Sequence, residues 1–303
     1  MSSGAIDSFF SAASPTGTRI LRLPAIILLF GGRLGDPKAS SRQMFINWLL
    51  VKGHALSPLV RTPEQYSDWD KFEGYHNLID FERDAGGLAR AIVLFSESEG
   101  SYAELGAFCM DSLLAERLFV VIDRPNYSAT SFIANGPIKK IELEHENSIC
   151  VVDSMDPISI EPEFIYVAEA LAEKISGVPK KSAFDPARQR DQFLLAADLV
   201  ELFGAVTHHE LLQLLKHMGA DVTRARLDQL VNQLIRFELI ELVEKMTKRY
   251  LVPAVERYSY LDYVAPKDAP PFDRTRFKMK HALPWLTKDK LRHQAYLQIH
   301  SRA

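Results

Sequence analysis

The sequence predicts an α/β protein: a Rossmann-like, doubly wound parallel sheet followed by a smaller, mostly helical domain. Through the first half, short continuous apolar runs alternate with longer stretches of helical period, as expected for strands buried on both faces and covered by helices. The stretch Gly177-Val-Pro-Lys-Lys-Ser-Ala-Phe-Asp-Pro186 then breaks the pattern, and the hydrophobic period changes after it. With 303 residues, 47% of them hydrophobic, the chain can bury one sizeable core and a second, smaller one.

The candidate strands are residues 25–30, 91–95, 118–122 and 148–152, with helices between them at 41–51, 76–89, 102–116 and 162–175. This βαβ series is what a doubly wound sheet requires. The first apolar run, from Ile20 to Phe30, is interrupted by Arg22 and Pro24 and falls short of the ~20 residues that span a bilayer. Residues 1–18 hold no Lys or Arg and carry Asp7, unlike the basic start of a secretory signal. The expectation is a cytoplasmic protein without membrane contact. Cys109 and Cys150 are too few for a disulfide framework and read as buried thiols.

After the break, residues 192–203 form one helix, and Thr207-His-His-Glu210 is a capping box that opens a second. That position makes His208 and His209 structural rather than metal-binding, and no metal site is expected. A third helix starts at Thr223, with Leu227, Leu230, Val231, Leu234 and Ile235 on one face and Arg224, Arg226, Gln229, Asn232, Gln233 and Arg236 on the other. Two short strands around Met246 and Thr247 complete three helices and a hairpin, the winged-helix layout. The expected organisation is an N-terminal extension (1–18), a catalytic domain (19–178), a linker (179–190), a winged helix (191–257) and a basic C-terminal tail (258–303).

Charge separates the halves. Residues 1–187 hold 17 Lys/Arg against 25 Asp/Glu, and residues 188–303 hold 19 against 14, so the second half suits a polyanion. In a winged helix the polar face of the third helix enters the major groove, although such domains also dock on proteins.

Chemistry concentrates in Ile92-Val-Leu-Phe-Ser-Glu-Ser-Glu-Gly-Ser-Tyr-Ala-Glu-Leu-Gly-Ala-Phe108. The segment runs from the carboxyl end of a strand through a small polar loop into a helix, where ligands of open α/β sheets bind. Gly100 and Ser101 would allow a ligand near the backbone. Glu104 would project from the first helical turn, where a carboxylate can trap or stabilise an oxocarbenium-like anomeric carbon, with Glu97 or Glu99 assisting departure of the base. The stretch Glu142-Leu-Glu-His-Glu146 alternates like an exposed strand.

The Glu104-Leu-Gly-Ala sequence after a strand and a Ser/Gly loop resembles the nucleoside 2-deoxyribosyltransferase family, whose nucleophilic Glu has this setting. Residues 94–108, the Leu28-Leu-Phe-Gly-Gly32 turn and Ser131-Phe-Ile-Ala-Asn-Gly-Pro-Ile138 look like retron effector proteins that join this fold to a DNA-binding domain. The resemblance implies an anti-phage toxin that cleaves the N-glycosidic bond of NAD or a related nucleotide, a substrate rather than a cofactor. A reverse transcriptase and its RNA–DNA hybrid would restrain it, in a homo-oligomer or in assembly with the retron complex. Glu104 carries over as nucleophile or oxocarbenium-stabilising residue, and Gly31 and Gly32 as pocket lining. Asn135 would orient substrate or complete a neighbour's site. The transferases carry an Asp six residues before the nucleophile. Ser98 occupies that position here, and Glu97 beside it is the candidate replacement. The competing readings are a non-catalytic, nucleotide-sensing DNA-binding regulator and a salvage deoxyribosyltransferase.

Overall fold

The computed structural model describes residues 4–36, 38–66, 75–177, 181–254 and 258–301. Its contacts divide the chain into two units, named here for their place along the sequence. The central unit comprises Pro24–Ser67 and Leu78–Val178, and the terminal unit Met1–Leu23, Asp68–Asn77 and Pro179–Ala303. The chain opens with α1 (Gly4–Ala12) and β1 (Ser14–Ile20), both in the terminal unit.

In the central unit β2 (Ile27–Phe30), β3 (Val60–Arg61), β4 (Ala91–Phe95), β5 (Leu118–Asp123) and β6 (Ile149–Val152) form a parallel sheet in the order β3-β2-β4-β5-β6. Helices α2 (Ser41–Val51), α3 (Leu78–Leu88), α4 (Glu99–Phe108), α5 (Ser112–Ala115), α6 (Arg124–Tyr127), α7 (Lys139–Glu144) and α8 (Phe164–Gly177) accompany it. Strands β2 and β4 are buried throughout, and alternate residues serve opposite faces. Ile27, Leu29, Val93 and Phe95 share one core with Phe45 of α2 and with Phe164 and Leu171 of α8. On the other face Phe30 meets Phe108 of α4 edge-on at 5.0 Å. Helix α3 approaches the sheet so closely that a Cβ on Gly86 would lie 2.9 Å from Ile92 Cδ1. Helices on both faces explain why these strands read as unbroken apolar runs. The strand order reverses between β2 and β4, so the crevice beyond their carboxyl ends is the sheet's ligand position.

Two local expectations are corrected. The helix at 102–116 is two helices: Ser98 caps α4 so that it starts at Glu99, and Asp111 starts α5 by accepting from the Leu113 and Leu114 N–H groups. The alternating stretch 142–146 is not a strand. Residues Lys139–Glu144 are helical, with Ile141 buried and a Lys140–Glu144 pair at 2.5 Å supporting the outer face.

The terminal unit is built on α9 (Gln189–Phe203), which is buried along most of its length. It is followed by α10 (His208–His217), α11 (Arg224–Arg236) and a hairpin of β8 (Ile240–Lys245) and β9 (Lys248–Pro253), the element order read from the sequence. The Thr207–Glu210 capping box is present, with the Thr207 N–H donating to Glu210 at 2.7 Å. Strand β1 lies in the middle of a second sheet, antiparallel to β7 (Ser182–Ala183) and β10 (Leu261–Val264). Helix α12 (Arg274–Phe277) runs through a π-turn at Lys278–Ala282 into α13 (Leu283–Lys288), and α14 (Lys290–His300) follows.

Among the described residues, 4–18 are therefore not an extension and 258–301 are not a tail. Phe9 of α1 is fully buried among Phe203, Tyr263 and Phe277 at ring distances of 5.3 to 5.9 Å. Of the expected linker, residues 179 and 180 lie outside the described residues, 182–183 pair with β1, and α9 begins at Gln189. Part of the positive charge at the C-terminus, that of Arg274, Lys278 and Arg292, is committed to ion pairs within the unit. Asp198 of α9, completely buried, accepts from the Tyr260 N–H (2.6 Å), the Leu261 N–H (3.1 Å), the Tyr263 hydroxyl (2.6 Å) and Arg274 (2.9 Å). Arg274 and Lys278 also donate to Glu201, and Arg292 donates to both oxygens of Glu210 at 2.7 and 2.9 Å while stacked 3.7 Å from the Trp285 ring.

Asp198→Ala leaves one Arg274 nitrogen, the Tyr263 hydroxyl and two backbone N–H groups without their acceptor inside the unit. Chemical denaturation is expected to show a loss of about 3–5 kcal/mol, against about 1 kcal/mol for Tyr263→Phe.

Candidate active site

The residues that follow β2 and β4 meet because the two strands end side by side, with Phe30 paired to Leu94. Glu97, two residues past β4, is their junction. Its Oε1 accepts from the N–H groups of Gly32 (2.9 Å) and Arg42 (3.0 Å), and its Oε2 from that of Ser41 (2.7 Å). The acceptor thus sits at the N-terminus of α2, where backbone donors lack intrahelical partners. Ser40 caps the same helix by accepting from the Gln43 N–H at 3.0 Å. A Cβ on Gly31, whose φ is 151°, would lie 2.9 Å from Glu97 Oε1, and one on Gly32 would lie 2.7 Å from Ser40 Cβ. Both glycines are required by this packing. Glu97, expected to assist the leaving group, has its oxygens taken up by three backbone donors and is a positioning residue.

Ser98 and Ser101 are likewise committed to structure. Ser98 Oγ accepts from the Ser101 N–H at 3.2 Å, and Ser101 Oγ accepts from the N–H groups of Ser98 (3.0 Å) and Glu97 (3.1 Å). Ser101 is fully buried, which corrects its expected substrate contact. Gly100 is exposed on the first turn of α4, with open space where a Cβ would stand apart from Ser98 Oγ at 3.9 Å. Asn135 is exposed in a π-turn at Ala134–Ile138, its amide donating to the Ser131 carbonyl at 3.1 Å.

Glu104 stands in the second turn of α4, six residues after its cap, rather than in the first. Its Oε2 is buried and accepts no hydrogen bond among the described residues. Its carboxyl is raised to about 8, by burial first and then by the nearby Glu82 and by Glu64, with Arg42 opposing the rise. Glu82, in α3, is itself raised to about 7 by burial and then by Glu64. Arg42 is buried, and its guanidinium donates to the Leu29 carbonyl (3.2 Å), the Gly32 carbonyl and both oxygens of Glu64 (2.6 and 3.2 Å). Sequence reasoning missed Arg42, Glu64 and Glu82. The available signal was Glu82 itself, an acid among the buried Phe81, Ala85 and Leu88 of α3. The site thus sets a carboxyl with one buried, unpartnered oxygen beside two further acids and one guanidinium, at the sheet's switch point.

The expected nucleic-acid face of α11 is only partly available. Arg224 is 70% exposed and lies 3.7 Å from Asp228. Arg226 lies over the Phe193 ring at 5.1 Å and donates to Gln229 at 3.0 Å. Asn232 and Arg236 are half-buried. Gln233 is buried in the core and cannot contact a groove, which corrects its assignment. Among the described residues no three His, Cys, Asp or Glu side chains are grouped to hold a metal ion, and no helix is long and apolar enough to cross a membrane.

A family model described as "STM3845 retron effector protein" matches residues 38–242. The chain is 28% identical over 153 residues to the Escherichia coli "Retron Ec73 putative ribosyltransferase/DNA-binding protein", covering 46% of this chain and 48% of that protein. It is 34% identical over 77 residues to the corresponding E. coli protein of Retron Ec86, covering 25% of each. The chain spans half the length or less of the curated relatives it matches.

Because burial raises Glu104 above its ordinary value of 4.5, its contribution to stability is complete below about pH 4.5 and is lost as pH rises through about 8. Glu104→Gln removes the buried charge, so thermal melts are expected to show a gain of several degrees at about pH 8.5 and little change near pH 5.

Proposed function

Because the chain belongs to the STM3845 retron effector family, we propose that its central unit is an N-glycosidase acting on NAD or a related nucleotide, with Glu104 as the nucleophilic or oxocarbenium-stabilising carboxylate. The observation that carries this reading is the Glu104 carboxyl itself, buried, partnerless at Oε2 and raised to about 8. Leaving such an oxygen unsatisfied costs about 1–3 kcal/mol, and a purely structural helix position offers nothing to offset it. The relatives' printed description as putative ribosyltransferases supports chemistry on a ribosyl group.

NAD suits the acids present. Its nicotinamide is bound to ribose as a pyridinium cation, so the bonding pair returns to the ring nitrogen when the bond breaks and nicotinamide leaves neutral without a proton donor. Glu97, whose oxygens accept from backbone, is not needed for that step. A cationic ring beside Glu104 and Glu82, which burial otherwise holds near neutrality, favours their ionisation, and the carboxylates so formed attract the ring. The anomeric carbon, left electron-poor, is then captured by Glu104 or by water. A neutral purine or pyrimidine leaving group would need a proton, and Glu82, raised to about 7, is the acid placed to hold one. In the family setting this toxic activity is restrained by a reverse transcriptase and its RNA–DNA hybrid, which meet a winged helix formed by α9 to β9, in a homo-oligomer or the retron assembly.

The test incubates active protein, freed of any restraining partner, with NAD and separately with deoxynucleosides, and follows released nicotinamide or base by chromatography. Release from NAD is expected, with a loss of ~10³-fold or more in Glu104→Gln, equivalent to roughly 4 kcal/mol of transition-state stabilisation. For NAD, kcat/KM is expected to rise as pH approaches about 8. Base exchange between nucleosides would instead support the salvage transferase, and a fully active Glu104→Gln would remove Glu104 from the chemistry.

Arg224→Glu with Arg236→Glu is expected to weaken binding to the reverse transcriptase–nucleic acid assembly, with a reduced salt dependence in the variant. Unchanged binding would place recognition outside α11.

A further inference from the structure

The C-terminal helices form a hollow of about 540 Å³ lined by Gly4, Lys280, His281, Trp285, Lys288 and Asp289, among others. All belong to the terminal unit. Neither Lys280 nor Lys288 has an ion-pair or hydrogen-bond partner among the described residues, unlike Lys278 two residues earlier, which is paired with Glu201. The acid in the lining is already answered. Asp289 caps α14 by accepting from the Leu291 and Arg292 N–H groups at 3.1 and 3.2 Å, and Lys248 lies 3.5 Å from its other oxygen. Helix α1 begins at the rim with Gly4 and Ala5. Residues 264–303 hold nine Lys/Arg against three Asp/Glu, and exposed Arg276 precedes Lys280 by one turn while Lys290 follows Lys288.

We propose that this hollow seats consecutive backbone phosphates of a single-stranded nucleic acid. The space exceeds that of one phosphate, and the surrounding positive charge extends beyond the hollow, as a strand requires and a lone small anion does not. A flexible strand can dip into a recess that the stiff, convex surface of a duplex spans. Trp285 is not a stacking platform, because Arg292 covers its ring. The inference rests on the reading that this chain meets nucleic acid, but on neither Glu104 nor α11. It assigns a second contact, on a part of the chain that the α11 variants leave intact.

The test uses the full chain and a labelled thymidine oligonucleotide of roughly 20 nucleotides, followed by fluorescence anisotropy across a salt series. Lys280→Ala with Lys288→Ala is expected to weaken binding at least about tenfold and to lower the slope of log affinity against log salt by roughly 1.4, two phosphate contacts. Both lysines are exposed, so the melting temperature should not move, and Arg224→Glu with Arg236→Glu should retain the Lys280/Lys288-dependent component. The proposal is overturned if the parent does not bind the oligonucleotide, or if the lysine variant binds with the parent's affinity and slope. It is also overturned if a duplex of equal length depends equally on the two lysines, or if inorganic pyrophosphate displaces the strand at matched concentration. Failure of Arg224/Arg236 reversal alone to weaken binding bears on α11 and not on this hollow, so the two readings fail separately.

Discussion

The carboxylate of Glu97 is the constraint on which the central unit's site depends. It stands past β4 yet satisfies N–H groups of the β2 loop and of the first turn of α2, three donors that the helix and the glycine turn leave open. Arg42, held through its own N–H, thereby sends its guanidinium back to the Leu29 and Gly32 carbonyls and out to Glu64. That guanidinium is the positive charge opposing the rise of Glu104. Sheet end and helix start are thus tied together by one carboxylate, and the glycines beside it have no room for a side chain.

The same site is a local energetic loss that the fold tolerates. Two acids in it are held near neutrality by burial, and an oxygen of one has no donor. The surrounding core, packed from both sheet faces by α2, α8, α3 and α4, supplies the stability against which that loss is carried. The terminal unit distributes its buried charge differently: Asp198 and Glu210 are fully answered by Arg274 and Arg292, so charge there fastens helices together.

The strands of the central sheet were legible because short apolar runs bounded by turns have few other uses in a chain this polar elsewhere. Strand β3, only Val60–Arg61, carries no pattern at all. Helix α7 was misread because Leu143, the apolar member of the alternation, is exposed, while Ile141 marks the buried face. Gln233 was assigned to the surface because a helical face was taken from its apolar residues alone, whereas it lies between buried Leu230 and Leu234. At the proposed site, Glu104 was singled out from its local motif. Arg42, Glu64 and Glu82 come from three separate segments, and one sequence holds no record of which distant residues share a pocket. The C-terminal segment misled for a related reason: charge density does not reveal whether a partner acid waits in α9.

The placement of α1 and β1 with the C-terminal helices has a consequence for synthesis. The central unit is contiguous except for a short excursion, so it can complete its sheet once α8 has left the ribosome. The terminal unit cannot close until β10 has been made to pair with β1 and Arg274 to complete the Asp198 network. Phe9 lacks its Tyr263 and Phe277 ring neighbours until that segment has been synthesised. A nascent chain therefore completes its parallel sheet before its second unit closes, and anything that acts through the closed second unit begins only after the sheet is made.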